Sequence, residues 1–281
     1  MSELAAVERL VKRFPLTRGV VWQRRLGEVA AVDDVTLAVQ EGESLGIVGE
    51  TGSGKSTLAR VLLNLTEPTG GVVRWRGEDV THARGAQLAA LRRTRQMVFQ
   101  DPAGSLNPRK TVGAAIADPF AIHGLLPERS ARARRVAELL EQVGLEPALA
   151  NRYPHELSGG MRQRVGIARA IALGPELLVA DEPVSALDVS IQAQILTLLR
   201  GLRSELGLTL VLIAHDLAVV RHMCDRVAVM RAGQLVEVAS VEQLYAAPRE
   251  AYTRELLAAV PRIPAPAPGG QSSSSPSSSS T

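Results

Sequence analysis

The sequence predicts an α/β fold with a largely parallel sheet, an inserted helical subdomain and an N-terminal antiparallel β region. Three observations carry this. Leu45–Val48, Met97–Phe99, Leu177–Ala180 and Thr209–Ala214 are short, continuous apolar runs, the pattern of strands buried on both faces. Helical patterns alternate with them, as a parallel sheet requires. Between about residues 101 and 160 the pattern is mostly helical, so that stretch interrupts the sheet as a subdomain.

Taken in order, residues 5–14 and 29–39 read as strands, with Val32, Val35, Leu37 and Val39 partly alternating. Between them Pro15–Glu28 is a basic, irregular insertion. Glu41-Gly42-Glu43 is a turn into the Leu45–Val48 strand, and Leu58–Leu65 is helix-like. A turn at Pro68–Gly71 leads to a short strand, Val72–Trp75. Ala86–Arg95 reads as helix and Asp101–Pro108 as loop. In Glu128–Val143, Val136, Leu139, Leu140 and Val143 share one face, and Arg129, Arg132, Arg134 and Arg135 form a solvated remainder. Val189–Leu206 is an amphipathic helix. Val227–Met230 and Gln234–Val238 form a hairpin about Ala232-Gly233, followed by short helices at Val241–Tyr245 and Ala251–Val260. The Pro/Ala and poly-Ser end, residues 262–281, is too poor in apolar groups to fold.

Composition excludes several classes. The net charge of +3 is small and its arginines and lysines are scattered, so nothing argues for nucleic acid. A single cysteine, Cys224, rules out an internal disulfide framework and a cysteine-rich metal site. The start MSELAAVERLVKRF has no signal-peptide core, and no run approaches the roughly 20 apolar residues of a membrane span. Work at a membrane would need a partner to supply the spans.

The chemistry starts at Gly49–Thr57, GETGSGKST, which fits G-x-x-x-x-G-K-[ST] between a strand and a helix. Gly49, Glu50, Thr51, Gly52, Ser53, Gly54, Lys55, Ser56 and Thr57 are therefore the candidate phosphate-binding residues. The glycines let backbone N–H groups curl around phosphate oxygens, and the following helix adds its positive N-terminus. Lys55 is placed for the β- and γ-phosphates, and Ser56 for Mg²⁺. Each other buried strand also ends in a polar group: Gln100, Asp181-Glu182 and His215. Ligands of open α/β sheets bind beyond such ends, so the four belong to one site. There Asp181 reads as a Mg²⁺-holding acid and Glu182 as the group that polarises the attacking water. Gln100 is a candidate Mg²⁺ ligand or γ-phosphate sensor, and His215 a γ-phosphate contact. Taken alone, either would be read as structural.

Together these residues resemble the nucleotide-binding subunit of ATP-binding cassette (ABC) transporters. The deciding stretch is Leu157–Arg164, LSGGMRQR, which is similar to the family signature and lies shortly before Asp181-Glu182. The resemblance covers residues 1 to about 260. It implies a P-loop NTPase core of RecA-like type that binds ATP and Mg²⁺ and hydrolyses ATP. In it Gln100 is the Q-loop residue, Asp181 the Walker B acid, Glu182 the catalytic glutamate, Ser185–Asp188 the D-loop and His215 the switch histidine. Two such cassettes pair head-to-tail, so Ser158, Gly159 and Gly160 would contact the partner's nucleotide. The Gln100 loop and helical subdomain would receive the coupling helices of membrane subunits.

Phe99–Arg109, FQDPAGSLNPR, and Ala247–Pro261, APREAYTRELLAAVP, are similar to oligopeptide/dipeptide importer ATPases, a group that includes nickel importers. The Pro15–Glu28 insertion is found in one of the two ATPases of such importers. The resemblance thus implies two transmembrane permease subunits, a paralogous second cassette, an extracytoplasmic solute-binding protein and a peripheral place on the cytoplasmic membrane face. The alternatives are the same motor for nickel or another small solute, and a soluble ABC protein of translation or DNA repair. One cassette without heptads disfavours the soluble types, and the absence of N-K-x-D disfavours a GTPase. The family stacks an aromatic on adenine. The common spacing reaches Leu26, which is not aromatic, leaving Phe14, the preferred candidate, or Trp22. No cysteines lie near the C-terminus, so a metal cluster there is not expected.

Overall fold

The computed structural model describes residues 2–18, 24–185 and 187–259. Two sheets sandwich a helix. The first is four-stranded and antiparallel. It holds β1 (Glu3–Arg18), β2 (Arg24–Gln40), β4 (Gly70–Trp75) and β5 (Glu78–Asp79) in the order β2-β1-β4-β5. The second holds β3 (Ser44–Val48), β6 (Arg95–Val98), β7 (Leu177–Asp181), β8 (Thr209–Ile213), β9 (Arg226–Arg231) and β10 (Gln234–Ser240). Its order is β10-β9-β3-β8-β7-β6, parallel throughout except for β10, which returns antiparallel to β9.

The continuous apolar runs are explained by burial on both faces. In β8, Val211 and Ile213 join one core with α1 (Lys55–Leu62) and the first sheet. Leu210 and Leu212 join the other, with α6 (Gly159–Ile171), α7 (Val189–Leu206) and α8 (Leu217–Met223). Successive side chains point to opposite faces, so every residue of such a strand must be apolar.

Between β6 and β7 the chain is helical. α2 (Gly85–Thr94) precedes β6, then come α3 (Pro102–Ser105), α4 (Val112–Ile122), α5 (Arg129–Gln142) and two 3-10 turns before α6. Val136, Leu139, Leu140 and Val143 are buried together as the α5 pattern predicts. α9 (Val241–Ala246) and α10 (Ala251–Ala258) close the described chain.

Two expectations are corrected. Pro15–Glu28 is not wholly irregular, because β1 runs to Arg18 and β2 starts at Arg24, with Pro15 opposite Glu28 and Leu16 opposite Gly27. β4 pairs with β1 only as far as Val11, so beyond it the ribbon has two strands. A ribbon open on both sides needs no core alternation and tolerates a proline. Asp101–Pro108 is not all loop, since it contains the single turn α3. Trp22 and the 262–281 tail lie outside the described residues.

Candidate functional site

β3 is fully buried and delivers the chain into residues 49–54, after which α1 begins at Lys55. Gly49 has φ +148°, and a Cβ there would sit 2.1 Å from the Met230 carbonyl oxygen. Gly54 has φ +102°, and its Cβ would sit 2.1 Å from the Ala31 carbonyl oxygen. Only glycine fits either position, so the cradle is shaped by backbone from β2 and β9 as well as by its own loop. Lys55 is buried, and its Nζ donates to the carbonyls of Gly49 and Glu50, each at 2.8 Å. Burial pulls its pKa down, opposed by the charges of Glu182 and Asp181.

The other strand ends arrive at the same level. Ile213 of β8 pairs with Ile47 of β3 on one side and Asp181 of β7 on the other, and Val98 of β6 pairs with Ala180. Ser56 Oγ donates to Asp181 Oδ1 at 2.8 Å. Burial pushes the Asp181 carboxyl up, with the Ser56 hydroxyl opposing. Gln100 Nε2 donates to Glu182 Oε2 at 2.9 Å, and His215 Nδ1 lies 3.9 Å from the same oxygen. Glu182 itself has φ +44°, a left-handed conformation uncommon outside glycine. Its N–H is tied to the Ile213 carbonyl. The structure thus brings Lys55, Ser56, Gln100, Asp181, Glu182 and His215 into one cluster.

The donor set suits Mg²⁺. Ser56 Oγ and Asp181 Oδ1 are adjacent hard oxygens, and Gln100 is hydrogen-bonded to Glu182, the residue after Asp181. Among the described residues no group of three or more His, Cys, Asp or Glu can hold a metal. A cation here would therefore share its shell with phosphate oxygens, as Mg²⁺ does.

Ser158, Gly159 and Gly160 stand elsewhere. Ser158 caps α6, its Oγ accepting the Met161 N–H at 3.3 Å. A Cβ on Gly160 would meet Ile191 Cγ2 at 2.7 Å, and one on Gly159 would meet Leu187 at 3.4 Å. The Ser158 carbonyl also accepts the Arg162 N–H at 2.9 Å. Phe14 is exposed rather than buried, lies opposite Val29, and has the Lys12 Nζ 5.0 Å from its ring centre.

Sequence reasoning missed two features. Tyr252 OH accepts the Glu50 N–H at 3.3 Å, across 202 positions of chain, and no local pattern announces that contact. A cavity of about 820 Å³ opens beside Gln100, lined by Arg60, Arg95, Phe99, Ile122 and Arg169 among others. Ile122 is 77% exposed and Phe99 38%, large apolar groups left without cover. The resemblance implied a docking place at the Gln100 loop and helical subdomain, but no sequence pattern marked this cavity or its lining.

The family model described as "ABC transporter" matches residues 32–185. The chain is 51% identical over 251 residues to the "Oligopeptide transport ATP-binding protein AppF" of Bacillus subtilis (strain 168), covering 89% of this chain and 76% of that protein. It is 52% identical over 262 residues to the "Oligopeptide transport ATP-binding protein OppF" of the same organism, covering 92% and 83%. Among solved structures, a dimeric post-hydrolysis state of the ATP-binding cassette MJ0796 bound to ADP and Pi superposes with TM-score 0.74. That match has 30% identity and covers 85% of this chain and 99% of that one.

Proposed function

The chain belongs to the ABC transporter family as one of its ATPases, and from that premise we propose that it drives uptake of peptides across a membrane. The observation that carries the ATPase chemistry is the single-level cluster of Lys55, Ser56, Asp181, Glu182 and Gln100. Support for peptides as cargo is the pair of oligopeptide-transport relatives, which match over most of their length.

The mechanism follows from what each side chain is free to do. Residues 49–57 wrap the phosphates with backbone N–H groups, aided by the N-terminus of α1. Lys55 exchanges its two carbonyl partners for phosphate oxygens. Ser56 and Asp181 would hold Mg²⁺, with Gln100 as a further candidate ligand, and the ion would neutralise phosphate charge. Glu182 orients and polarises the attacking water. His215, close to Glu182, contacts the γ-phosphate side. Phe14, exposed on β1, offers a face to adenine.

Ser158–Gly160 complete the partner's site, so two cassettes close head-to-tail on ATP and part after hydrolysis. The second cassette is a paralogue. The cassette spans 1–260, with its helical arm at about 101–160 and the importer-type motif at 247–261. The cavity beside Gln100 seats a coupling helix of one of two permease subunits. Its uncovered Phe99 and Ile122 suit an apolar helix face. Among the described residues no helix is long and apolar enough to cross a membrane, so the permeases supply the spans. A solute-binding protein outside the membrane delivers the cargo, and this chain works on the cytoplasmic face.

A gentle-detergent pull-down with mass spectrometry tests the assembly. Two multi-span permeases, a second cassette and a solute-binding protein are the expected company. Ribosomes, repair factors or no membrane protein would overturn the transport reading and leave the ATPase intact.

A further inference from the structure

The C-terminal segment reaches the nucleotide site from behind. Tyr245 donates its hydroxyl to the Leu217 carbonyl, two residues past His215. Tyr252 is buried, and its hydroxyl accepts the N–H of Glu50, the second residue of the phosphate loop. The Arg231 guanidinium lies over the Tyr252 ring, 4.6 Å from its centre. Leu256 and Ala259 share a cavity of about 250 Å³ with Val48, Gly49, His215 and Asp216. Glu237 of β10 clasps the segment, because its buried carboxylate accepts the N–H groups of Arg249 at 3.0 Å and Glu250 at 3.2 Å.

We propose that Tyr252 is a positioning residue for nucleotide binding, holding the entrance of the phosphate loop through the Glu50 N–H. The Gly49–Glu50 peptide is gripped on both sides, its N–H by Tyr252 and its Gly49 carbonyl by Lys55. Lys55 must release that carbonyl to reach a phosphate. From then on Tyr252 is the side chain that keeps the peptide in place, and the Glu237 clasp keeps Tyr252 in place. Conformational freedom regained by the loop without this bond would be lost again on binding, so the effect falls on affinity rather than on the chemical step. The proposal rests on residues 49–57 being the ATP-binding loop.

The test is Y252F in the full-length chain, which removes the hydroxyl and keeps the ring. ATP KM and kcat are measured, with binding of a fluorescent ATP analogue in an E182Q background and thermal unfolding alongside. Loss of one ordinary hydrogen bond predicts KM and analogue Kd raised roughly three- to tenfold, with kcat changed by less than about twofold. A merely structural tyrosine would lower the melting temperature and leave KM and Kd alone. KM and Kd within about twofold of the parent overturn the proposal. If Y252F unfolds, E237Q supplies the readout. It leaves the phenol in place and loosens its support, so raised KM upholds the proposal and unchanged KM sinks it. A parent chain that binds no ATP analogue overturns the underlying loop assignment as well, and is recognised separately because the parent is measured first.

Discussion

Gln100 Nε2 donates to Glu182 Oε2 at 2.9 Å, joining the end of β6 to the end of β7. The carboxylate read as the water-polarising group is therefore engaged by the residue next to the cavity assigned to the membrane subunits. If a permease seats in that cavity as proposed, movement of Gln100 would alter the hydrogen bonding of the Glu182 carboxylate.

Glu182→Gln keeps the shape of that contact and removes the carboxylate. ATP binding should be unchanged, while turnover falls about 10²–10⁴-fold, the usual worth of a general base. Steady-state hydrolysis and ATP-analogue binding measured together check this, and hydrolysis within about tenfold of the parent would remove Glu182 from its role.

Asp181→Asn should stabilise the fold while ending turnover. Burial raises the Asp181 pKa above its unfolded value, against the Ser56 hydrogen bond. The native state therefore keeps this proton to higher pH than the unfolded chain does. The stability it contributes is complete below the unfolded pKa and is lost as pH rises through the folded value. At neutral pH the ionised group is a net cost, which the amide removes. Without added nucleotide the melting temperature should rise by a few degrees at pH 7 and change little at acid pH. A fall at pH 7 would mean that the hydrogen bond from Ser56 outweighs desolvation.

Gly54→Ala should be severe. Its φ of +102° and the 2.1 Å approach to the Ala31 carbonyl leave no room for a Cβ. A cost of at least about 2 kcal/mol is expected, with ATP binding lost. Gly52→Ala, where no atom lies within 4 Å of the added Cβ, should cost less despite its φ of +82°. Chemical denaturation of the two variants separates clash from backbone strain.

Ser158→Arg should leave the isolated chain folded and able to bind ATP, yet abolish hydrolysis in the assembled pair if, as proposed, residue 158 completes the partner's site. Normal activity of the assembled complex would exclude Ser158 from that site. Gly160→Ala should behave differently, because its Cβ would meet Ile191 at 2.7 Å inside the same chain. About 1–3 kcal/mol of overpacking is expected, relieved when Ile191→Ala is added. Failure of that rescue would place the effect outside this contact.

The motif residues were legible because each is a local pattern. A phosphate loop needs glycines at set positions, and a strand buried on both faces must be continuously apolar. The sheet order then aligned Ile47, Ile213 and Asp181 in one row. Convergence of the strand ends was thus predictable from topology rules alone. The paired strand ends at 15–18 and 24–28 were not legible, because an element of two strands has no core face to impose a period. The exposure of the Phe14 ring beside Lys12 was likewise not legible in the sequence.

The sequence by itself determined the α/β class, the phosphate loop and the identities of the strand-end polar residues, since backbone conformation and burial periodicity are written over short windows. Only the tertiary structure decided that Gln100 engages Glu182, 82 positions away, that Gly160 makes room for Ile191, and that Tyr252 reaches Glu50. Such pairs depend on how the two cores set their helices against the sheet. A contact between distant side chains is a property of that packing and leaves no period in the chain.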